Sequence, residues 1–407
     1  MTKQEKYARL LIDVGVNVQK GQDLVISAQV ETASFVRLCA AYAYEKGARE
    51  VVMNWSDDLL TREKYEKAAD DVFDAVPEHM KLFMDSYSQK KAAFLFLSST
   101  DPENLKNADT GRIRRWQTAS AKAMKIYRTM QADGELQWCI AAVPSVAWAK
   151  KVFPDRTESE ALSALWEAIL KTVYVTADGD AEADWNAHIR KTDERAAALT
   201  AYNFKALRYK NALGTDLTVE LAAGHKWSGG AEITKDGIPV SVNMPTEEVF
   251  CPPKKYGANG VVFASMPLVI GGALIDRFRM TLRDGKIVDV KADVGEDILR
   301  GNVYLDEGSC YLGEVALVPY DSPISNQGIL FYDTLFDENA SCHIAFGSAI
   351  ASFTDTDAAP REEYEARGIN DSDIHIDFMV GTPDLSITGI RQDGSEVPVF
   401  VDGNFAF

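Results

Sequence analysis

Residues 92–97 read AAFLFL, a continuous apolar run that is typical of a strand buried on both faces of a parallel sheet. Other strand-like stretches occur at 24–27, 50–53 and 136–142, and stretches with helical spacing separate or follow them. Strands that alternate with helices favour crossover units. The first half of the chain therefore predicts an α/β domain built on a parallel sheet.

Helical patterns dominate the first half of the sequence and strand patterns the second half. Helical spacing predicts helices over 32–46, 76–89, 108–130, 157–172 and 180–212. Beyond Gly214 strand patterns dominate, and Asp284-Gly285 and Asp393-Gly394 predict hairpin turns. We therefore predict a two-domain α/β protein: a helix-rich α/β N-terminal domain over 1–205, and a mixed α/β C-terminal domain over 206–407.

The charge balance excludes several classes of function. The 407 residues include 43 Lys and Arg against 61 Asp and Glu, a net charge of −18. Such a chain repels phosphate backbones and anionic lipid, so we expect neither nucleic acid nor a membrane as a partner. No apolar run reaches the length of a membrane span, and charges interrupt the N-terminal segment where a secretory signal would need an apolar core.

The five cysteines favour a reducing cytoplasm. They are scattered and contain no C-x-x-C pair, which fits neither a disulfide framework nor a structural zinc knuckle. We predict that most of them are small buried hydrophobic residues in a cytoplasmic protein.

The histidines differ in context. His79 and His188 lie in polar helical stretches, which predicts solvated surface positions, and His225 lies in a glycine-rich segment that is either a turn or a binding loop. Residues 373–380 read DIHIDFMV, and in a strand His375 and Asp377 point to one face while the apolar residues point to the other. This pair suits a metal site, although a half-exposed strand with ordinary polar residues gives the same pattern.

Five other candidate residues lie in unusual surroundings. Residues 331–350 read FYDTLFDENASCHIAFGSAI, which predicts a helix from about Asp337 with His343 buried inside it and Glu338 nearby. Glu248 follows Glu247 in the segment NMPTEEVF, and Glu314 opens the apolar strand of GEVALVP. A carboxylate in such a place is either paired, protonated or metal-bound, or it is a charge at the edge of a strand.

Together these residues form a plausible metal-ligand set. Three carboxylates and two imidazoles (Glu248, Glu314, His343, His375 and Asp377) are about what two divalent ions require when one carboxylate bridges them. Mixed nitrogen and oxygen ligands suit zinc, cobalt or manganese.

The chain resembles the thermophilic-type M29 metallo-aminopeptidases. The motifs NMPTEEVF, GEVALVP, FYDTLFDENASCHIAFG and DIHIDFM carry the resemblance, which runs nearly end to end. It implies that Glu248, Glu314, His343, His375 and Asp377 bind the metals, and that Glu338 has a second-layer or catalytic-water role. It also implies a homodimer whose enclosed chamber admits short peptides, with the N-terminal domain covering the site.

One position departs from that family. Seven residues after His343 the family usually carries a tyrosine thought to assist catalysis, and this chain has Ile350. On the predicted helix, residues 343 and 350 would share a face.

The favoured function is metal-assisted hydrolysis of an N-terminal peptide bond, with Glu338 or Glu247 as the proton-transferring carboxylate. The first alternative is a non-haem iron ring-cleaving dioxygenase of the same fold family, because His343, His375 and Asp377 also make a two-histidine, one-carboxylate triad. The second alternative is a catalytically impaired peptide-binding homologue.

Overall fold

The structure is a computed structural model that describes residues 1–270, 273–350, 352–353 and 361–407. Its described helices are α1 (Lys3–Leu10), α2 (Ala33–Lys46), α3 (Asp58–Lys67), α4 (Glu78–Gln89), α5 (Thr110–Ala123), α6 (Lys125–Ala132), α7 (Val146–Val152), α8 (Glu158–Thr172), α9 (Ala181–Tyr202), α10 (Glu296–Val303) and α11 (Thr334–Asp337).

The described strands are β1 (Asp23–Gln29), β2 (Glu50–Ser56), β3 (Ala93–Ser98), β4 (Trp138–Ala142), β5 (Ala206–Lys210), β6 (Asp216–Leu221), β7 (His225–Lys226), β8 (Ser228–Gly229), β9 (Glu232–Ile233), β10 (Pro239–Val240), β11 (Asn243–Met244), β12 (Val249–Cys251), β13 (Pro253–Phe263), β14 (Leu268–Ile270), β15 (Ala273–Arg283), β16 (Lys286–Val294), β17 (Leu312–Leu317), β18 (His343–Gly347), β19 (Ser352–Phe353), β20 (His375–Met379), β21 (Ser386–Ile390), β22 (Glu396–Val401) and β23 (Asn404–Phe405).

The chain forms two compact units whose boundaries differ from the predicted ones. The first contains residues 1–187 and 231–245, and the second contains 188–230 and 246–407. The predicted division at 205 follows the end of α9, whereas the division between the compact units lies within that helix. The segment 231–245 belongs to the first unit because its strand β11 pairs with β4.

The first unit contains the predicted parallel sheet. Its order is β11-β4-β3-β1-β2, and every neighbouring pair is parallel. The apolar run at 92–97 supplies most of β3, which lies in the middle of this sheet. Gly47 ends α2 with a φ of 101°, a conformation that glycine adopts without strain. The helix predicted over 108–130 is corrected, because this stretch breaks at Met124 into α5 and α6. The helix predicted over 180–212 is corrected as well: α9 ends at Tyr202, and residues 206–210 pair with β6 and β21 as strand β5.

The second unit is built mainly from antiparallel strands. A five-stranded sheet has the order β20-β18-β17-β12-β8, and a nine-stranded sheet includes β13, β15, β16 and the C-terminal strands. The hairpin between β15 and β16 turns at Asp284 and Gly285, both with positive φ, as the sequence predicts. A large apolar core within this unit contains residues of both sheets, such as Phe278 and Phe346, together with Trp227.

The cysteines and the lengths of the helices are also the subject of predictions. All five cysteines are buried and none forms a disulfide. Within the described ranges, no helix is both long enough and apolar enough to cross a membrane.

Candidate metal centre

The five-stranded sheet of the second unit brings four predicted ligands to one face. Glu314 on β17 and Asp377 on β20 both lie opposite Ala345 of the intervening strand β18. His343 lies two residues before Ala345 and His375 two residues before Asp377, so all four side chains share the same face. Alternation along strands, rather than proximity in sequence, assembles this group.

The helix predicted around His343 is wrong. His343 begins β18, and the preceding helical segment is short: α11 is capped by Asp333, and a 3₁₀ turn follows over Glu338–Ala340. The run Ile344–Phe346 is fully buried, so its apolar residues are those of an internal strand. Ile350 therefore shares no helix face with His343, and its side chain is 54% exposed.

The fifth predicted ligand, Glu248, lies next to the strand that neighbours β17. Glu248 directly precedes β12, which pairs with β17, and its Oε2 lies 3.0 Å from His343 Nε2. Glu314 lies in the interior of β17 rather than at its opening, and its two oxygens face different rings. Its Oε1 is 3.5 Å from His343 Nε2 and its Oε2 is 3.8 Å from His375 Nε2. Asp377 Oδ1 lies 3.3 Å from His375 Nε2.

These atoms form two overlapping groups that could each hold a cation. Glu248, Glu314 and His343 make one group, and Glu314, His375 and Asp377 make the other, with the ligand atoms of each within 4.8 Å of one another. Glu314 belongs to both groups, which is the arrangement expected of a bridging carboxylate. The first group is buried, whereas His375 and Asp377 are partly exposed.

The hydrogen bonds of the two imidazoles fit metal binding. His343 Nδ1 lies 3.2 Å from the Ser341 carbonyl oxygen, and His375 Nδ1 lies 2.6 Å from that of Ser348. A carbonyl oxygen only accepts, so each Nδ1 carries a proton and donates. Each Nε2 then faces carboxylate oxygens. Metal-bound histidines usually have this arrangement, with the outer nitrogen held by a carbonyl or carboxylate.

The pKa shifts show that the site stabilises positive charge. Burial alone would lower the pKa of His343, but its contacts with Glu248 and Glu314 raise it well above its ordinary value. Burial opposes a raised pKa at His375 as well, yet Asp377 and Glu314 bring it to about 10. Burial raises the pKa of Glu314. A divalent cation bound between these groups would satisfy the carboxylates and replace the imidazole protons.

The two candidate proton-transfer residues occupy different surroundings. Burial raises the pKa of Glu338 well above its ordinary value, and the charges of Asp377 and Glu248 raise it further. Glu338 is thus electrostatically part of the cluster. The Glu247 carboxylate instead lies 3.8 Å from the Nε2 of His188.

The structure also reveals residues whose importance the sequence did not show. His188 is buried, so its predicted surface position is wrong, and burial lowers its pKa to about 4. The helical spacing of the sequence could have indicated this burial. Trp185, Ile189 and Thr192 form the buried face of α9, and His188 lies on the same face. Asn339, buried next to Glu338, contributes a second contact to the Glu247 segment. His79 is exposed, as predicted.

Comparisons with known proteins identify the family of the chain. The family model described as thermophilic metalloprotease (M29) matches residues 1–405. The chain belongs to this family. It is 45% identical to aminopeptidase AmpS of Bacillus subtilis over 406 residues, which is all of this chain and 98% of that protein. It is 39% identical to aminopeptidase T of Thermus thermophilus over 98% of both chains. These findings confirm the predicted metal-dependent aminopeptidase.

Two solved structures resemble the chain to different degrees. The structure of AmpT from Thermus thermophilus superposes with a TM-score of 0.92 at 38% identity, covering 100% of this chain and 99% of that one. A 2,5-dihydroxypyridine dioxygenase from Pseudomonas putida superposes with a TM-score of 0.51 at 11% identity, covering 99% and 96%. The second likeness concerns the fold alone, so it lends the dioxygenase alternative no support.

Proposed function

We propose that this M29 member removes N-terminal residues from short peptides with two divalent ions held by Glu248, Glu314, His343, His375 and Asp377. The observation that carries the proposal is the orientation of both imidazoles, each with Nδ1 on a backbone carbonyl and Nε2 facing the carboxylates. Mixed nitrogen and oxygen ligands favour zinc, cobalt or manganese.

Such ions, when bound, supply polarisation of the scissile carbonyl and activation of a water molecule. The protein supplies the rest of the chemistry. Glu314 reaches both imidazoles with separate oxygens, so it would fix the spacing between the two positions. Asp377 and His375 form the partly exposed side of the cluster, where a substrate would enter.

We assign proton transfer to Glu338 rather than Glu247. Asn339 links Glu338 to the segment that carries Glu248, because its Nδ2 lies 3.5 Å from Glu338 Oε1 and its Oδ1 accepts the Glu247 N–H. The charges of Asp377 and Glu248 also act on the Glu338 carboxyl, as expected of a group that exchanges a proton with a water at the cluster. The Oε1 of Glu247 instead lies 3.8 Å from the Nε2 of His188.

We further propose that the protein acts as a homodimer in the cytoplasm. The resemblance to M29 enzymes supports the homodimer, and five buried cysteines without disulfides support a reducing compartment. Sedimentation of the purified chain tests the dimer directly, since a monomer would contradict it.

The metal assignment is tested with the bridging carboxylate. Glu314→Gln keeps the shape of the side chain but removes its charge, so the variant should lose both ions and nearly all aminoacyl-amide hydrolysis while staying folded. Elemental analysis, circular dichroism and hydrolysis rates are the measurements, and Glu307→Gln at an exposed position is the control. Two ions per chain with wild-type turnover in Glu314→Gln would refute the assignment, and a single bound iron in the wild type would favour the dioxygenase.

A further inference from the structure

The segment that carries Glu248 has no regular secondary structure. Strand β11 ends at Met244 and β12 begins at Val249, and residues 246–248 between them are all buried. Buried backbone donors and acceptors need partners, and outside helices and sheets those partners must come from elsewhere. The position of Glu248 therefore depends on whatever side chains hold the backbone of residues 246 and 247.

Two buried side chains hold this backbone at adjacent residues. The Nε2 of His188 lies 2.7 Å from the Thr246 carbonyl oxygen, and the Oδ1 of Asn339 accepts the backbone N–H of Glu247 at 2.8 Å. His188 comes from helix α9, and Asn339 comes from the 3₁₀ turn after α11. Residues 188, 246 and 339 all belong to the second compact unit.

The partners fix the orientation of both side chains. The backbone carbonyl oxygen of Thr246 can only accept a hydrogen bond, so His188 must carry a proton on Nε2. Asn339 donates its Nδ2 to the Leu335 carbonyl oxygen at 3.1 Å, which leaves Oδ1 for Glu247. The same Nδ2 lies 3.5 Å from Glu338 Oε1. Asn339 thus connects the backbone beside Glu248 with the carboxylate that we assign to proton transfer.

We propose that His188 and Asn339 are positioning residues that together place Glu248 for metal binding. The inference rests on the proposed function, because it requires Glu248 to be a metal ligand. Neither side chain needs to touch a metal ion or substrate. A neutral hydrogen bond on each of two successive residues holds the ligand without adding charge to a site that already contains several carboxylates. Outer contacts of this kind typically change metal affinity by about 10–100-fold when removed.

Cobalt binding provides the test. Co²⁺ titration of the metal-free protein, followed by its visible absorption, gives a dissociation constant for each ion and a spectrum that reports ligand geometry. We expect His188→Leu and Asn339→Leu each to raise the dissociation constant of one of the two Co²⁺ ions by about 10–100-fold and to alter the spectrum of that ion. The ion held by Glu314, His375 and Asp377 should bind as in the wild type.

A conservative variant and a matched control sharpen the result. His188→Gln places an amide N–H near the position of Nε2, so it should restore Co²⁺ binding close to the wild-type value. His225 is also buried and also has a ring nitrogen on a backbone carbonyl, that of Ala222 at 2.8 Å. His225→Leu should therefore leave both Co²⁺ dissociation constants unchanged, even where it lowers the melting temperature.

The outcomes separate this inference from the proposed function. If Glu248→Gln loses one Co²⁺ ion while folded His188→Leu and Asn339→Leu bind both ions normally, the positioning role is refuted. If Glu248→Gln itself binds both ions normally, Glu248 is not a metal ligand. The proposed function is then wrong at this residue, and the positioning role is refuted with it. Should the leucine variants not fold, His188→Gln decides, because a folded glutamine variant that loses the ion contradicts the proposed hydrogen bond.

Discussion

Glu338 is the residue on which proton transfer is proposed to depend. The Glu338→Gln variant keeps its size but can no longer accept a proton. We expect kcat to fall by about 10²–10⁴-fold with little change in KM, because general base catalysis contributes that much. Steady-state kinetics on aminoacyl-amides measures the change, and elemental analysis should show an unchanged metal content.

Glu247→Gln is the matched comparison for that variant. The Glu247 carboxylate lies beside His188, whereas the charges of Asp377 and Glu248 act on the Glu338 carboxyl. The loss of Glu247 should therefore reduce kcat less than the loss of Glu338. A larger effect at Glu247 than at Glu338 would reverse the assignment.

Ile350 occupies the position at which the resemblance to M29 enzymes predicts a tyrosine. It lies two residues after Ser348, whose carbonyl oxygen accepts from His375 Nδ1, and its side chain is 54% exposed. A larger ring at this exposed position is therefore not overpacked. We expect Ile350→Tyr to raise kcat, by up to about 10²-fold if its hydroxyl stabilises the developing oxyanion. Rates for wild type, Ile350→Tyr and Ile350→Phe should show whether the hydroxyl matters; equal rates for the two aromatic variants would contradict this role.

At the scale of elements, the bulge in β17 shapes the metal centre. The register with β18 shifts between Leu312 and Glu314, so Glu314 lies opposite Ala345. A Cβ on the intervening Gly313 would come within 2.6 Å of the Gly347 carbonyl oxygen and closer still to that of Ser348. The Ser348 carbonyl holds His375. Only glycine fits this close approach without displacing the backbone that orients a ligand.

We expect Gly313→Ala to destabilise the protein by about 1–3 kcal/mol. It should also weaken metal binding, since it displaces the carbonyl that holds His375. Gly301→Ala is the control: this glycine lies in α10 with open space around it, so alanine should stabilise the helix by about 0.5–1 kcal/mol. Thermal unfolding and metal titration of both variants test the prediction, and unchanged metal affinity in Gly313→Ala would contradict it.

Asp337 makes the loop before α11 sensitive to pH. Its Oδ1 accepts the Phe331 N–H at 2.8 Å and its Oδ2 accepts the Asp333 N–H at 3.2 Å. Burial raises its pKa from 3.8 to about 7. A raised carboxyl pKa favours the folded state below pH 3.8, and this contribution is lost as the pH rises to about 7.

Asp337→Asn cannot ionise, so it should remove this contribution. The melting temperature of the wild type minus that of the variant should fall between pH 5 and pH 7 and stay constant above pH 8. Scans in excess chelator keep metal binding out of the comparison. A difference that is independent of pH would show that Asp337 does not ionise as proposed.

For the whole molecule, metal binding should add substantially to stability. The chain carries a net charge of −18, and its metal centre gathers three carboxylates around two imidazoles. A ligand that binds only the folded state stabilises it by about 2.7 kcal/mol at a hundredfold excess over its dissociation constant. We expect Co²⁺, Zn²⁺ or Mn²⁺ to raise the melting temperature by several degrees, and excess chelator to reverse this. Glu314→Gln should show no such dependence, and identical melting in metal and chelator for the wild type would contradict metal-linked folding.

The sequence by itself determined the features that depend on local pattern. Apolar runs separated by helical stretches predicted the parallel sheet of the first unit, and Asp284-Gly285 predicted a hairpin. Both predictions succeed because the spacing of apolar residues and the turn preference of a dipeptide depend only on residues close together in sequence. It also determined the candidate metal ligands, since carboxylates and imidazoles in apolar surroundings need a partner wherever the fold puts them.

Only the tertiary structure decided how these parts meet. The run around His343 suits a buried helix or a buried strand equally well, and pairing with β17 and β20 made it a strand. Likewise, helical spacing did not fix whether His188 faces solvent or core, because the partner surface lies far away in sequence. The contacts of His188 and Asn339 with residues 246 and 247 are long-range hydrogen bonds. Such contacts follow from how the chain packs, so no local pattern specifies them.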